Sequence, residues 1–374
     1  MNGRKRLNVG VIFGGRSGEH EVSLMSARAV LQALDRQKYE VVQIGITHDG
    51  AWFAGENVLE ALSLGDTGSL TPVTLFADPG RPGLYALEKT SDGELLRKQA
   101  NLDVVFPVLH GTFGEDGTLQ GLLEMAGIAY VGAGVLGSSL GMDKGVFKDV
   151  MVANHIPVVE TLVVLRSQVR NGIQSVIAEA ERMTPYPMFT KPANLGSSVG
   201  VSKCNHRSDL YEGLMEAARY DRRILVQRGV NAREIEVSVM GNDQPKASLP
   251  GEVLPSREFY SYESKYVDGT SELLIPAPIS AELSEQVRSL AVRAYKAIDC
   301  AGLARVDFML DKDTNELYLN EVNTIPGFTQ ISMYAKLWEA SGIGYAQLVD
   351  HLIDLALSRR AEHDSTERRY QVNS

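Results

Sequence analysis

The sequence predicts an α/β fold that opens on a parallel sheet and continues into two further regions, and three stretches predict it. Leu7 to Phe13 reads as a buried-type strand, followed by a glycine-rich turn from Gly14 to Gly18, a helix from Glu21 to Gln37 and a returning strand from Val41 to Thr47. Strand, helix and strand in that order form a parallel pair, because the helix crosses over and packs on the sheet. Arg305 to Leu310 alternates polar and apolar residues with a period of two, Asp311 to Asn315 is a polar turn, and Glu316 to Asn323 reads as the return strand. Between them, Met188 to Lys191 reads as a strand that ends in a lysine and runs into a Gly/Ser loop instead of a helix.

The remaining elements follow in order. Glu56 to Leu96 mixes Gly, Pro and Asp turns with short apolar runs and reads as irregular, with room for hairpins. Val104 to Leu109 is a strand, His110 to Thr118 a loop and Leu119 to Ala126 a helix. Three glycines between Val131 and Gly137 mark a boundary. A helix follows Met142-Asp143-Lys144, and strands are expected over Thr161–Leu165 and Ile224–Gln227. The predicted regions are therefore 1–132, 133–227 and 228–358. The polar, aperiodic tail 359–374 is expected to be disordered.

Composition excludes several classes. A net charge of −10 leaves no basic surplus to neutralise a phosphate backbone, so nucleic acid is not an expected partner. Cys204 and Cys300 lack metal or disulfide spacing and read as packing residues of a reduced, cytoplasmic protein. The basic start, Met1 to Arg6, precedes too short an apolar run for a signal peptide, and no stretch is long enough to span a bilayer, so no membrane association is expected.

Two patterns carry chemistry. Glu321 and Asn323 share one face of the return strand, opposite Arg305 and Asp307 on the outgoing one. Two carboxylates and an amide oxygen without Cys or His are hard donors, suited to Mg²⁺ on substrate phosphates; the plain alternative is a solvated acidic hairpin. Lys191 to Val201 places a lysine before small and hydroxyl residues whose amides can approach polyphosphate oxygens. It is not a Walker loop, because the lysine precedes the glycines. Lys144 is a second candidate phosphate lysine.

At these residues the chain resembles a known family. His110-Gly111-Thr112-Phe113-Gly114-Glu115-Asp116-Gly117-Thr118-Leu119-Gln120-Gly121-Leu122 is similar to the first signature of the D-alanine:D-alanine ligases, and Gly302 to Gly327 to their second. Gly14 to Ser23, Met142-Asp143-Lys144, Lys191 to Gly200, Arg233 to Glu236 and Phe259 to Tyr266 match in the same order. The resemblance implies the ATP-grasp fold, with ATP between two α+β domains and an N-terminal domain that helps bind the amino acid. It implies ATP as co-substrate, two Mg²⁺ (or Mn²⁺) ions on Asp307, Glu321 and Asn323, and a homodimer. It also implies that one D-alanine carboxylate is phosphorylated by ATP and the resulting acyl phosphate is captured by the amine of a second D-alanine.

Carried over residue by residue, the resemblance gives Arg305 and the Gly327 backbone to the oxyanion, and Glu19, near His110, to the first substrate's ammonium. Ser197 and Tyr266 would bond with Glu19 and close a loop over roughly Glu252 to Asp268. Lys265 would reach phosphate and the second substrate's carboxylate, which Ser332 and the Met333 backbone would also hold. Lys144, Lys191, Ser198, Glu234, Phe259 and Asn320 would contact the nucleotide, with Gln227 where relatives usually carry a glutamate facing adenine. A D-alanine:D-lactate or D-alanine:D-serine ligase is the alternative within the family. A nicotinamide-dependent oxidoreductase is disfavoured because Gly14, Gly15 and Gly18 do not keep the dinucleotide spacing. A non-catalytic nucleotide-binding module would be expected to lack the metal and oxyanion residues, which are all present.

Overall fold

The computed structural model describes residues 6–254 and 272–367. Its first sheet has eight strands: β1 (Leu7–Gly14), β2 (Tyr39–Ile46), β3 (Trp52–Gly55), β4 (Thr71–Leu75), β5 (Leu84–Thr90), β6 (Gly93–Ala100), β7 (Val104–Pro107) and β8 (Ala129–Tyr130). They are ordered β6-β5-β4-β3-β2-β1-β7-β8. The run β2-β1-β7-β8 is parallel, as expected. From Val9 onward strand β1 carries only apolar residues and glycine, because both its faces are buried there. Val9, Val11 and Phe13 enter the core beneath helix α1 (His20–Ala33), while Ile12 packs on the other side with Leu119 and Leu123 of α3 (Thr118–Ala126). Helix α1 stops short of Gln37 because Asp35 turns the chain, its side chain accepting from Gln37 N–H at 2.8 Å.

The stretch from Glu56 to Leu96 is not irregular. After helix α2 (Val58–Leu64) it supplies β4 to β6, which with β3 extend the sheet antiparallel. Its periodicity is invisible because β6 is exposed along almost its whole length, so no apolar face is imprinted on the sequence.

The second sheet holds β9 (Thr161–Leu165), β10 (Met188–Pro192), β11 (Ser202–Cys204) and β12 (Arg223–Arg228), antiparallel in the order β11-β10-β12-β9. Helices α6 (Arg166–Met183) and α7 (Arg207–Tyr220) bury one face around Ile177, Leu214 and Val226. The third sheet comprises β13 (Ala232–Gly241), β14 (Lys246–Ala247), β15 (Gly251–Leu254), β16 (Glu272–Leu274), β17 (Gly302–Asp311) and β18 (Leu317–Asn323). Helix α8 (Ala281–Ala297), capped by Ser280, packs Val287 and Ala291 on Ile235, Val237 and Val306.

Packing cuts across the boundaries read from the sequence. Helices α4 (Val135–Met142) and α5 (Lys144–Ala153) follow the glycine-rich boundary, but Phe147 and Met151 of α5 are buried in the core of the third sheet. Two helices close the chain, α9 (Met333–Ala340) and α10 (Tyr345–Asp364). Leu348, Leu352 and Ile353 of α10 return to the core of the first sheet. Residues 359–364 are therefore helical, which corrects the expected disorder. Arg359 lies 4.3 Å over the Tyr130 ring and donates to the carbonyl of Gly132. Residues 368–374 lie outside the described part. Cys204 and Cys300 are buried and unpaired, burial pushing their thiols up to about 11 and 12. Among the described residues, no helix is long and apolar enough to cross a membrane.

Candidate active site

The floor of the site is the open face of the third sheet. In register, Glu236 opposes Asp307, Asp307 opposes Glu321, and Arg305 opposes Asn323, so these side chains share one face while Ile235, Val237 and Val306 fill the core behind. Glu234 stands one pair further along, opposite Met309. The ladder slips between Asp307 and Phe308, whose partners are Glu321 and Leu319, leaving Asn320 as the extra residue of a bulge. Without it Leu319 and Glu321 would point the same way. With it Leu319 and Val322 are buried while Asn320, Glu321 and Asn323 are only partly covered. The Arg305 guanidinium donates to both oxygens of Asp307 at 2.7 Å and stands 2.9 Å from Glu236. Asn323 Nδ2 adds a bond to Asp307 at 2.9 Å.

The first domain supplies the rim. Glu19 caps the start of α1 without using its side chain there, and its carboxylate accepts from the Ser197 hydroxyl, 178 residues away. Backbone at Gly111 (φ +76°) and Gly196 passes so close that a Cβ would meet Glu19 Oε2 at 2.7 and 3.2 Å. His110 is buried with both ring nitrogens used: Nδ1–H donates to the Ile325 carbonyl at 2.9 Å, and Nε2 accepts from Ser26 Oγ at 3.0 Å. Ser26 Oγ in turn accepts from Phe328 N–H at 3.3 Å. Burial, the largest effect, lowers the His110 pKa and keeps the ring neutral, as this pattern requires. His110 and Ser26 thus clamp Ile325 and Phe328, the residues that bracket Pro326 and Gly327. Glu115 accepts from Gly111 N–H at 3.1 Å; burial, then the nearby Glu19 charge, raises its pKa well above the usual carboxylate range.

The third wall joins α5 to the Lys191–Val201 loop. Asp143 caps α5 by accepting from Gly145 and Val146 N–H and pairs with Arg223 at 2.7 Å. Asp221 accepts from both the backbone and the side-chain amide of Asn194, each at 2.9 Å. Lys144 Nζ donates to the Leu195 carbonyl at 2.9 Å and stands 3.6 Å from Glu321. Ser197 and Ser198 both lie at positive φ, 52° and 59°, so the loop turns sharply where the chemistry is expected. Lys191 shares the open face of the second sheet with Gln227, because it opposes Leu225 and Phe189 opposes Gln227. Burial, then Lys144, pulls the Lys191 pKa down to about 8.

Glu19, His110, Lys144, Ser197, Arg305, Glu321, Asn323 and Gly327 line one pocket, drawn from all three regions of the chain. Asp307 sits beside it, held by Arg305 and Asn323. Ser332 does not line it; its hydroxyl is 2.7 Å from that of Thr329, and the Met333 side chain is buried with Val253 and Leu337. Phe259, Lys265 and Tyr266, with most of the expected closing loop, lie outside the described residues. Sequence reasoning assigned no role to Glu115, although it lies inside the His110–Leu122 motif, or to Ser26 and Lys148. Lys148 was detectable only as a lysine one helical turn after Lys144.

The comparisons agree over most of the chain. Residues 8–133 match the family described as D-ala D-ala ligase N-terminus, and residues 150–354 match D-ala D-ala ligase C-terminus. A D-alanine--D-alanine ligase of Heliobacterium modesticaldum is 50% identical over 96% of this chain and 98% of its own length. That of Natranaerobius thermophilus is 48% identical over 96% and 97%. Among solved structures, the D-alanine-D-alanine ligase of Coxiella burnetii superposes with a TM-score of 0.82 at 35% identity, covering 96% of this chain and 97% of that one. The VanG D-Ala:D-Ser ligase of Enterococcus faecalis gives 0.83 at 35% identity over 94% and 100%. The paired sheets with a shared acidic floor are thus the ATP-grasp fold, and the chain belongs to the D-alanine:D-alanine ligase family.

Proposed function

We propose that the protein joins two molecules of D-alanine into D-alanyl-D-alanine with conversion of ATP to ADP and phosphate, supplying the dipeptide of peptidoglycan synthesis. The observation that carries this reading is the single pocket in which Glu19, Ser197, Lys144, Arg305, Glu321 and Gly327 meet. A carboxylate-rich rim suits an ammonium, and lysines with a cleft between two sheets suit a polyphosphate. Arg305 and the Gly327 amide suit the negative charge that develops on the attacked carbonyl.

The first D-alanine places its ammonium against Glu19, whose orientation Ser197 fixes. Its carboxylate attacks the γ-phosphate, forming a C–O–P linkage as ADP leaves, and the neutral amine of the second D-alanine then displaces phosphate from the acyl carbon. Arg305 and Gly327 hold the oxyanion in this second step. Lys144 and Lys191 neutralise phosphate charge, Ser198, Glu234, Phe259 and Asn320 complete the nucleotide site, and Gln227 accepts from the adenine amino group. Lys265, Ser332 and the Met333 amide hold the second carboxylate. Tyr266 completes the Glu19–Ser197 contact, and the loop that carries it excludes water from the acyl phosphate.

Asp307, Glu321 and Asn323 fit two Mg²⁺ or Mn²⁺ ions. They are hard oxygen donors on one face, and Asn323 donates its amide N–H to Asp307 while its carbonyl oxygen remains an acceptor. Bound there, the ions would neutralise polyphosphate charge as two anions approach. The family resemblance supports a cytoplasmic homodimer as the working form. Eight curated relatives of similar length at 46–50% identity carry the D-alanine--D-alanine name, whereas the D-serine enzyme superposes equally well, so these sequences favour D-alanine as acceptor where fold does not discriminate. Product analysis with ATP, Mg²⁺ and D-alanine, with D-lactate and D-serine in competition, tests this. D-Alanyl-D-alanine is expected to dominate at neutral pH, and a predominance of ester or mixed dipeptide would overturn it.

A further inference from the structure

Lys148 is 4% exposed, and its Nζ has no hydrogen-bond partner among the described residues. A buried ammonium without a partner is among the costliest arrangements a fold can carry, and one that a native structure retains calls for a functional explanation, such as a ligand that completes it. Lys148 follows Lys144 by four residues on α5, so the two share one face of the helix. Lys144, Lys148 and Lys191 all feel the charge of Glu321. Glu160, the other carboxylate near Lys148, is already paired with Arg228 at 2.6 Å. Three lysines thus gather around one carboxylate in the cleft between the second and third sheets, and that carboxylate is itself a candidate cation ligand. The surplus is positive and buried, which is the charge distribution a polyphosphate complements.

We propose that Lys148 is a further phosphate-binding lysine of the nucleotide site, a donor that gains its acceptor only when the phosphate chain of ATP is bound. This assignment rests on the ATP-dependent reading above. It differs from the role given to Lys144, which already bonds to the Leu195 carbonyl and so also anchors the loop. Lys148 has no such second employment, and removing its charge should relieve the free protein while weakening the nucleotide complex.

The test is calorimetric binding of ADP, a non-hydrolysable ATP analogue and adenosine to the full chain and to Lys148→Met, with thermal melting of each protein without ligand. The expected result is at least tenfold weaker binding of both phosphorylated ligands, adenosine affinity within twofold of wild type, and a ligand-free melting temperature no lower than wild type. ADP affinity within twofold of wild type would overturn the proposal. So would an equal loss for adenosine, which would make Lys148 a base contact, or a lower melting temperature with nucleotide binding intact, the mark of a packing role. Lys148→Gln, judged by the same thresholds, serves if the Met variant does not fold. A wild-type chain that binds neither phosphorylated ligand would instead overturn the ATP-dependent reading and this proposal with it.

Discussion

The two ends of the cleft are built on opposite principles. At the end formed by Arg305, Asp307, Asn323 and His110, charges and polar atoms meet a protein partner, and the chain Phe328–Ser26–His110–Ile325 ties the loop holding Gly327 to the first domain. At the other end three buried polar atoms have no partner among the described residues: Gln227 Oε1, Asn320 Oδ1 and Lys148 Nζ. A group that must stabilise charge appearing only in the transition state gains from being fixed beforehand, since reorganisation during the reaction is then avoided. A group that recognises a ground-state ligand keeps its bonding capacity free until that ligand arrives. On the proposed function, the difference separates a preorganised catalytic end from a nucleotide end that the ligand would complete.

The largest expected effect attacks the catalytic end. Glu321→Gln should lower turnover by about a hundredfold or more while leaving the fold intact, because metal and electrostatic contributions each supply several kcal/mol; near wild-type turnover in a folded variant would falsify the metal assignment. Next comes the strut. Ser26→Ala leaves the Phe328 N–H and His110 Nε2 without their buried partner, at a cost of about 1–3 kcal/mol in stability. We expect turnover to fall about tenfold by loosening of Gly327, with ADP affinity unchanged; a parallel loss of ADP affinity would erase the distinction between the two ends.

Ser197→Ala breaks the bond to Glu19 and should raise the D-alanine concentration needed for half-maximal rate several-fold. It should also release ADP in excess of dipeptide as water reaches the acyl phosphate. Unchanged stoichiometry and affinity would remove Ser197 from substrate positioning. The smallest effect is a pH dependence. Burial, then the charge of Lys191, holds Lys148 down to about 7, far below its ordinary 10.5. Below pH 7 both folded and unfolded states carry the proton, and the fold bears the whole penalty of the buried charge. Between pH 7 and 10.5 the unfolded chain binds more protons, so this group's destabilisation fades as pH rises. The melting advantage of Lys148→Met over wild type should therefore be greatest at or below pH 7 and shrink towards pH 10, and a constant difference would show that Lys148 is not buried as a cation.

Much of the site was legible because its parts are local patterns. The period-two alternation around Arg305 and Asp307, with the turn from Asp311 to Asn315, announces a hairpin whose inward face can be named. The lysine before a glycine- and serine-rich loop announces a strand end with free backbone amides. The bulge at Asn320 was not legible, since nothing in Tyr318 to Val322 marks an extra residue, yet it aims Glu321 at the pocket. Nor was β6, whose solvent-exposed faces leave no apolar period. Glu115 and His110 could be placed in a motif, but their states come from burial by groups distant in sequence.

By itself the sequence determined the parallel opening of the first sheet, the oxygen-rich hairpin and the lysine loop, because strand periodicity, turn residues and donor chemistry act over a few neighbouring positions. Only the tertiary structure decided that Ser197 meets Glu19, that His110 holds the Ile325 carbonyl, that α5 joins the core of the third sheet and α10 that of the first, and that Lys148 is buried unpaired. Those contacts join residues far apart in the chain. Which of them form depends on how whole sheets and helices bury their apolar faces against one another, and that competition leaves no local signature in the residues it brings together.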